Sequence, residues 1–147
     1  IQKAAGIVQP GEGICIRGGD YDIRKYPKSV ICFARSGEPD KPIVVTAYGD
    51  EKVTIFTAES KAVFDFGTWW GNNTTGFGHY VFSKLRFNGA RCVWMFYPPA
   101  VPSWTTSQPV SNLWVGQIHD IVIEDCEVDG NGTIQSAVYA ATPVCGI

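Results

Sequence analysis

The sequence predicts an all-β protein wound as a parallel β-helix, a solenoid in which short strands stack coil upon coil. The first observation behind this is an internal repeat. GHYVFSKLRFNG, residues 78–89, aligns with HDIVIEDCEVDGNG, residues 119–132, at one constant offset, Gly89 falling on Gly130 (130 − 89 = 41). That offset pairs Tyr80 with Ile121, Phe82 with Ile123, Leu85 with Cys126 and Phe87 with Val128, all apolar. Between them fall polar pairs: Ser83 with Glu124, Lys84 with Asp125, Arg86 with Glu127 and Asn88 with Asp129. The second observation is the spacing within each copy. A flat strand keeps a strict two-residue period, so the extra polar residue between the two apolar pairs marks a bend joining short strands whose apolar faces both turn inward. Stacked coils need such corners. The third observation is that strand-like runs recur at intervals of about ten to twenty residues with no helix long enough for a βαβ unit.

Composition agrees with one domain over residues 1–147, long enough to bury a core. Sixteen Gly, nine Pro and a single Met favour strands and turns over helices. A net charge of −2, with Lys and Arg scattered, argues against nucleic acid as a partner. No apolar run approaches the roughly 18 residues of a membrane span. The chain opens on Ile1 without Met or a signal peptide, so a processed product or a fragment is expected. Cys15, Cys32, Cys92, Cys126 and Cys145 show no CxxC or Cys/His spacing suited to zinc. Cys15, Cys32 and Cys126 sit in strand-like apolar patterns and are expected to be small buried hydrophobes. Asn72, Asn73 and Asn131 each begin an N-x-T sequon, which leans toward an exported, secreted or cell-surface protein.

Taken in order, Ile1–Val8 has a helical character ended by Pro10-Gly11, and is expected to cover the open end of the first coil. Ile14 and Ile16 alternate in a strand that Gly18-Gly19 breaks. VICFA, residues 30–34, is a second strand, followed by the polar turn SGEPDKP. IVVTAY, residues 43–48, and VTIF, residues 53–56, flank the turn GDEK, and VFDF follows at 63–66. Two inserted loops then interrupt the coils: TWWGNNTTGFG at 68–78 and YPPAVPSWTTSQPVSNLWVG at 97–116. An ordinary coil takes roughly 20–25 residues, so the 41-residue offset is read as one coil carrying the second loop. Pro98, Pro99, Pro102 and Pro109 are poor material for an inner strand.

PGEGICIRGGDYD followed by SGEPDKPIVVTAYGDEKVTI resembles the opening of secreted right-handed parallel β-helix proteins of pectin-lyase-like type, most closely the alginate lyase and chondroitinase B group of polysaccharide lyases. The resemblance covers about the first 56 residues, with Glu12-Gly13 where that group usually has Asp. It implies a single-stranded right-handed β-helix and β-elimination on a uronic-acid polymer. It further implies calcium held by carboxylates and amides, with a Lys and an Arg supporting proton abstraction. That machinery lies on middle coils, beyond the matched region, so no catalytic residue is carried over. The apolar end TPVCGI is expected to be covered by more protein, a partner or another copy. The Asp-His and paired-Asp signatures of pectate lyases and polygalacturonases are not found.

From the residues alone, Glu124, Asp125, Glu127 and Asp129 form a carboxylate run beside a repeat row carrying Lys84 and Arg86. In-register stacking would set Arg86 near Glu127 and Lys84 near Asp125, about 4.8 Å apart. One reading is a solvated ladder of ion pairs. The other is a site where the carboxylates hold a hard cation and Lys84 or Arg86 meets a sugar acid. The run lacks EF-hand spacing, and no cofactor motif beyond this calcium reading is evident. His79 and His119 precede their strands, either as surface residues or as a general base, and Asp65 has the same two readings. Trp69, Trp70, Trp94, Tyr97, Trp104 and Trp114 gather around the loops as a stacking platform for sugars or as packing. Two functions are therefore expected: an exported polysaccharide lyase-like protein binding an acidic polysaccharide, or a non-catalytic glycan-binding or self-assembling structural or adhesive subunit.

Overall fold

The computed structural model describes residues 1–26, 30–57, 62–65, 77–89, 92–96, 118–129 and 138–140. After the short helix α1 (Gln2–Ala5) these residues form strands β1 (Gly13–Ile16), β2 (Gly19–Asp22), β3 (Ile31–Cys32), β4 (Ile43–Ala47), β5 (Val53–Phe56), β6 (Ala62–Asp65), β7 (Phe77–Ser83), β8 (Arg86–Asn88), β9 (Cys92–Phe96), β10 (Ile118–Glu124), β11 (Glu127–Asp129) and β12 (Val138–Ala140). The protein is all-β in class apart from α1 and a 3-10 turn at Ile23–Lys25. Three four-stranded sheets run in the orders β1-β4-β7-β10, β2-β5-β8-β11 and β3-β6-β9-β12. Every pairing between these strands is parallel, so the chain visits the three sheets in rotation and β1 to β9 each pair with the strand three places later. Parallel neighbours need a long crossover, and here the strands of the other two sheets supply it.

The repeat appears in this register as expected. Tyr80 stands beside Ile121, Phe82 beside Ile123, Arg86 beside Glu127 and Phe87 beside Val128. The extra residue at each bend is Lys84 in one copy and Asp125 in the other, both left-handed at φ 55° and 51°. Asp tolerates that conformation better than most residues, whereas Lys takes it at a cost. The two bends are bonded to each other: the Lys84 N–H donates to the Glu124 carbonyl at 3.4 Å and the Glu127 N–H to the Leu85 carbonyl at 2.9 Å.

One apolar core takes residues from all three sheets. Ile14, Val45 and Phe82 stack as one inward column and Ile55 and Phe87 as another, all buried. Phe82 meets Phe64 at 4.8 Å between ring centroids, Tyr80 at 6.0 Å and Phe33 at 6.1 Å. On β10 the column ends in Ile123, which is 38% exposed, beside the outward Val122 at 47%.

The N-terminal helix lies where the sequence places it, with Ala5 and Val8 in the core. Its Gln2 side chain does more than cover apolar surface. β3 is the outer strand of its sheet, and the Gln2 amide bonds both polar groups of Cys32: Nε2 donates to the carbonyl at 3.0 Å, and Oε1 accepts from the N–H at 2.8 Å. A side chain thus occupies the place of a missing neighbour strand.

Three expectations change. The strand expected over 30–34 is only Ile31–Cys32, because the chain leaves the sheet to bury Phe33 and bond the Ala34 N–H to the Ala5 carbonyl at 3.2 Å. A circuit takes more than 20–25 residues: Gly13 pairs with Val44 (44 − 13 = 31) and Ile43 with Tyr80 (80 − 43 = 37). The excess lies in connections such as the 3-10 turn and residues 33–42, and the 41-residue offset separates β7 from its direct neighbour β10. Cys15 is exposed rather than buried, since alternation along β1 turns Ile14 and Ile16 inward and Cys15 outward. Cys15 and Cys126 are free thiols. Among the described residues no helix is long and apolar enough to cross a membrane.

Candidate functional sites at the two ends of β7 and β10

The bends that leave β4, β7 and β10 lie one above another, and together they line an open groove of about 440 Å³. Its polar lining comes from Asp50, Glu51 and Lys52 of the first bend, Lys84 and Arg86 of the second, and Asp125 and Glu127 of the third. Arg86 reaches Glu127 at 3.0 Å, as the repeat register predicts. Lys84 does not reach Asp125. Its Nζ lies 3.2 Å from Asp50 Oδ1 and donates to the Gly49 carbonyl at the same distance. The left-handed bend carries its side chain back toward the preceding circuit, a partner that the two-copy alignment does not contain. Arg17 grips Glu51 through Nε and the terminal nitrogen at 2.8–3.0 Å and lies 5.1 Å from the Tyr48 ring centre. That hydrogen bond, then the Gly18 N–H, holds the Glu51 carboxyl below its ordinary range.

The groove therefore gathers Lys84, Arg86, Asp125 and Glu127. Glu124, beside Ser83, and Asp129, beside Asn88, do not line it. Nor do the four carboxylates converge as a calcium site would require. Calcium takes six to eight oxygens, whereas Glu127 is bound to Arg86, and among the described residues no three of these acids come close enough to share an ion. Trp69, Trp70, Tyr97, Trp104 and Trp114 lie outside the described residues, as do the three sequons and most of both loops. Trp94 takes a backbone place in β9 between Phe64 and Val138, and Asp65 one in β6 beside Cys32.

At the other end of the same strands lies a cluster that the sequence reading missed. His79 and His119 fall within β7 and β10, not before them. Their rings meet edge to face at 4.7 Å. Asp120 Oδ2 sits 2.8 Å from His119 Nδ1 and 3.4 Å from His79 Nδ1. The hydrogen bond from His119, together with the charge of His79, pulls the Asp120 carboxyl below its usual range. His79 and Asp120 are both left-handed, at φ 57° and 52°. Gly78 makes the room: a Cβ there would lie 2.5 Å from the His119 ring. The loop at Ser36-Gly37 clamps that glycine, Ser36 Oγ accepting from the Gly78 N–H and the Gly37 N–H donating to the Gly78 carbonyl, each at 3.1 Å. The signal was present in the repeat, because the 41-residue offset pairs His79 with Asp120 and Gly78 with His119.

The chain matches no family model, no curated protein and no solved structure in these three comparisons.

Proposed function

We propose that the chain is a right-handed parallel β-helix module of an exported, carbohydrate-active protein of polysaccharide lyase type, and that its groove binds an acidic polysaccharide through the sugar carboxylates. The rotation of the chain through three parallel sheets supports the coil reading. The observation that carries the binding reading is that Lys52 of the first bend and Lys84 and Arg86 of the second all line one open groove. Adjacent strands lie about 4.8 Å apart, close to the length of one pyranose, so cations on neighbouring bends suit carboxylates on neighbouring sugars. Lys52 has no ion pair among the described residues. The acids held by Lys84 and Arg86 are exchangeable, because exposed pairs are worth only about 0–1 kcal/mol, while a charge-assisted bond to a fixed guanidinium is directional. Calorimetric titration with oligomers of alginate, pectate and chondroitin tests the reading, with a neutral glucan as control. Binding that prefers the acidic chains and weakens with salt supports it, and equal or absent binding refutes it. Ultraviolet absorbance of an unsaturated product decides whether β-elimination accompanies binding.

A second reading, a self-assembling structural subunit, has one observation in its favour. Ile123 belongs to the inward column of the core yet is 38% exposed, a surface that a further coil from a second copy would cover. A sedimentation profile that changes with concentration supports this reading.

A further inference from the structure

We infer that His79, His119 and Asp120 form a binding site for a zinc-like transition-metal ion, separate from the sugar groove and independent of the function proposed for it. The three side chains offer two imidazole nitrogens and one carboxylate oxygen, all within 4.8 Å of one another. Imidazole with carboxylate suits zinc and its neighbours, whereas calcium and magnesium want oxygen alone. Tetrahedral zinc with bonds of 2.0–2.1 Å sets its ligand atoms about 3.3 Å apart. The separations of 2.8 and 3.4 Å from Asp120 Oδ2 to the two Nδ1 atoms already bracket that value. The remaining separation, between the two imidazoles, is no more than 4.8 Å and is the one that has to close around an ion.

The backbone beneath the cluster is held before any ion arrives. Gly37 packs so closely on the strand that a Cβ would lie 2.3 Å from the His79 carbonyl oxygen, and Ser36 and Gly37 bond both polar groups of Gly78. The His79 side chain is 15% exposed, that of His119 38% and that of Asp120 64%, so the cluster has a packed side and a side open to water. Three protein ligands with a fourth position left to water is the arrangement of zinc sites that do chemistry or sense the ion, while purely structural sites are closed.

Titration of the Cys15→Ser protein with zinc chloride tests the site, this background removing the exposed thiol as a competing ligand. One equivalent of zinc is expected to bind with micromolar or tighter affinity, and millimolar calcium should not displace it. His119→Gln and Asp120→Asn should each weaken binding at least about tenfold, the scale of losing even an outer-shell partner. Asp120→Asn retains a residue that accepts the left-handed backbone. Cobalt in the unsubstituted protein gives a readout that needs no variant: intense visible absorption from a four-coordinate ion supports the site. Binding lost with Cys15, displaced by calcium or unchanged in both variants overturns the inference, as does failure of zinc to bind.

Discussion

Replacing Phe82 with Ala tests the stacked core where it is densest. The ring is fully buried and is ringed by Phe64, Tyr80 and Phe33, with centroids 4.8–6.1 Å away. Truncating a buried Phe to Ala costs about 3–5 kcal/mol. Aromatic pairs add about 0.5–1.5 kcal/mol beyond area, which puts Phe82→Ala near the top of that range, at about 4–5 kcal/mol. Domains usually hold only about 5–15 kcal/mol, so about a third or more of the stability is at stake. For a chain of this size each kcal/mol moves the melting temperature by about 2–4 °C, and a fall of about 8–20 °C is expected. Urea unfolding followed by circular dichroism is the assay. Val122→Ala on β10, at a position 47% exposed, is the comparison, and a surface change of that kind stays within about 0.5 kcal/mol. If Phe82→Ala cost less than about 1 kcal/mol, or no more than Val122→Ala, the inward columns would be wrongly assigned.

Gln2→Ala removes both hydrogen bonds to Cys32 and should cost about 1–3 kcal/mol at roughly 0.5–1.5 kcal/mol each, and light scattering should show faster aggregation from the uncovered β3 edge. Burial pushes the Tyr80 phenol well above its ordinary range, so the unfolded chain ionises first. Its contribution is intact below a pH of about 10 and is lost at up to about 1.4 kcal/mol per pH unit above it. Unfolding curves from neutral to strongly alkaline pH should show that slope, and Tyr80→Phe should flatten it. Gly78→Ala drives a methyl into the His119 ring. Because a partly exposed side chain can move aside, the stability change should be under about 1 kcal/mol, while zinc titration should show binding weakened by displacement of the ring.

The alternation of Tyr80, Phe82, Leu85 and Phe87 with polar residues was enough to place the bend, the inward face and the pairing of Tyr80, Phe82 and Phe87 with Ile121, Ile123 and Val128. Burial drives that pattern, so it is written in residue type. The register sets the Lys84 bend on the Asp125 bend as read, but a two-copy alignment does not contain Asp50 of the preceding bend, which the long Lys84 side chain reaches instead. Cys15 was misjudged by chemical class, although its place between Ile14 and Ile16 already turned it outward. The cluster of His79, His119 and Asp120 escaped for a subtler reason. His79 and His119 invite comparison with each other, yet they are one residue out of register, and the true partner of His79 is Asp120. A distant loop supplies the rest: the clamp of Ser36-Gly37 on Gly78 joins residues about 40 apart, which no local pattern announces.

The affinity of the chain for an acidic oligosaccharide, measured beside that of the Lys84→Ala/Arg86→Ala variant, tests the proposed groove most directly. Charge-assisted hydrogen bonds contribute about 1.5–3 kcal/mol and about 1.4 kcal/mol is tenfold in affinity, so losing both cations should weaken binding of a hexa-uronate by tenfold or more while the protein stays folded at the temperature of the titration. Equal affinity in the two proteins, or equally good binding of a neutral hexasaccharide, would contradict it.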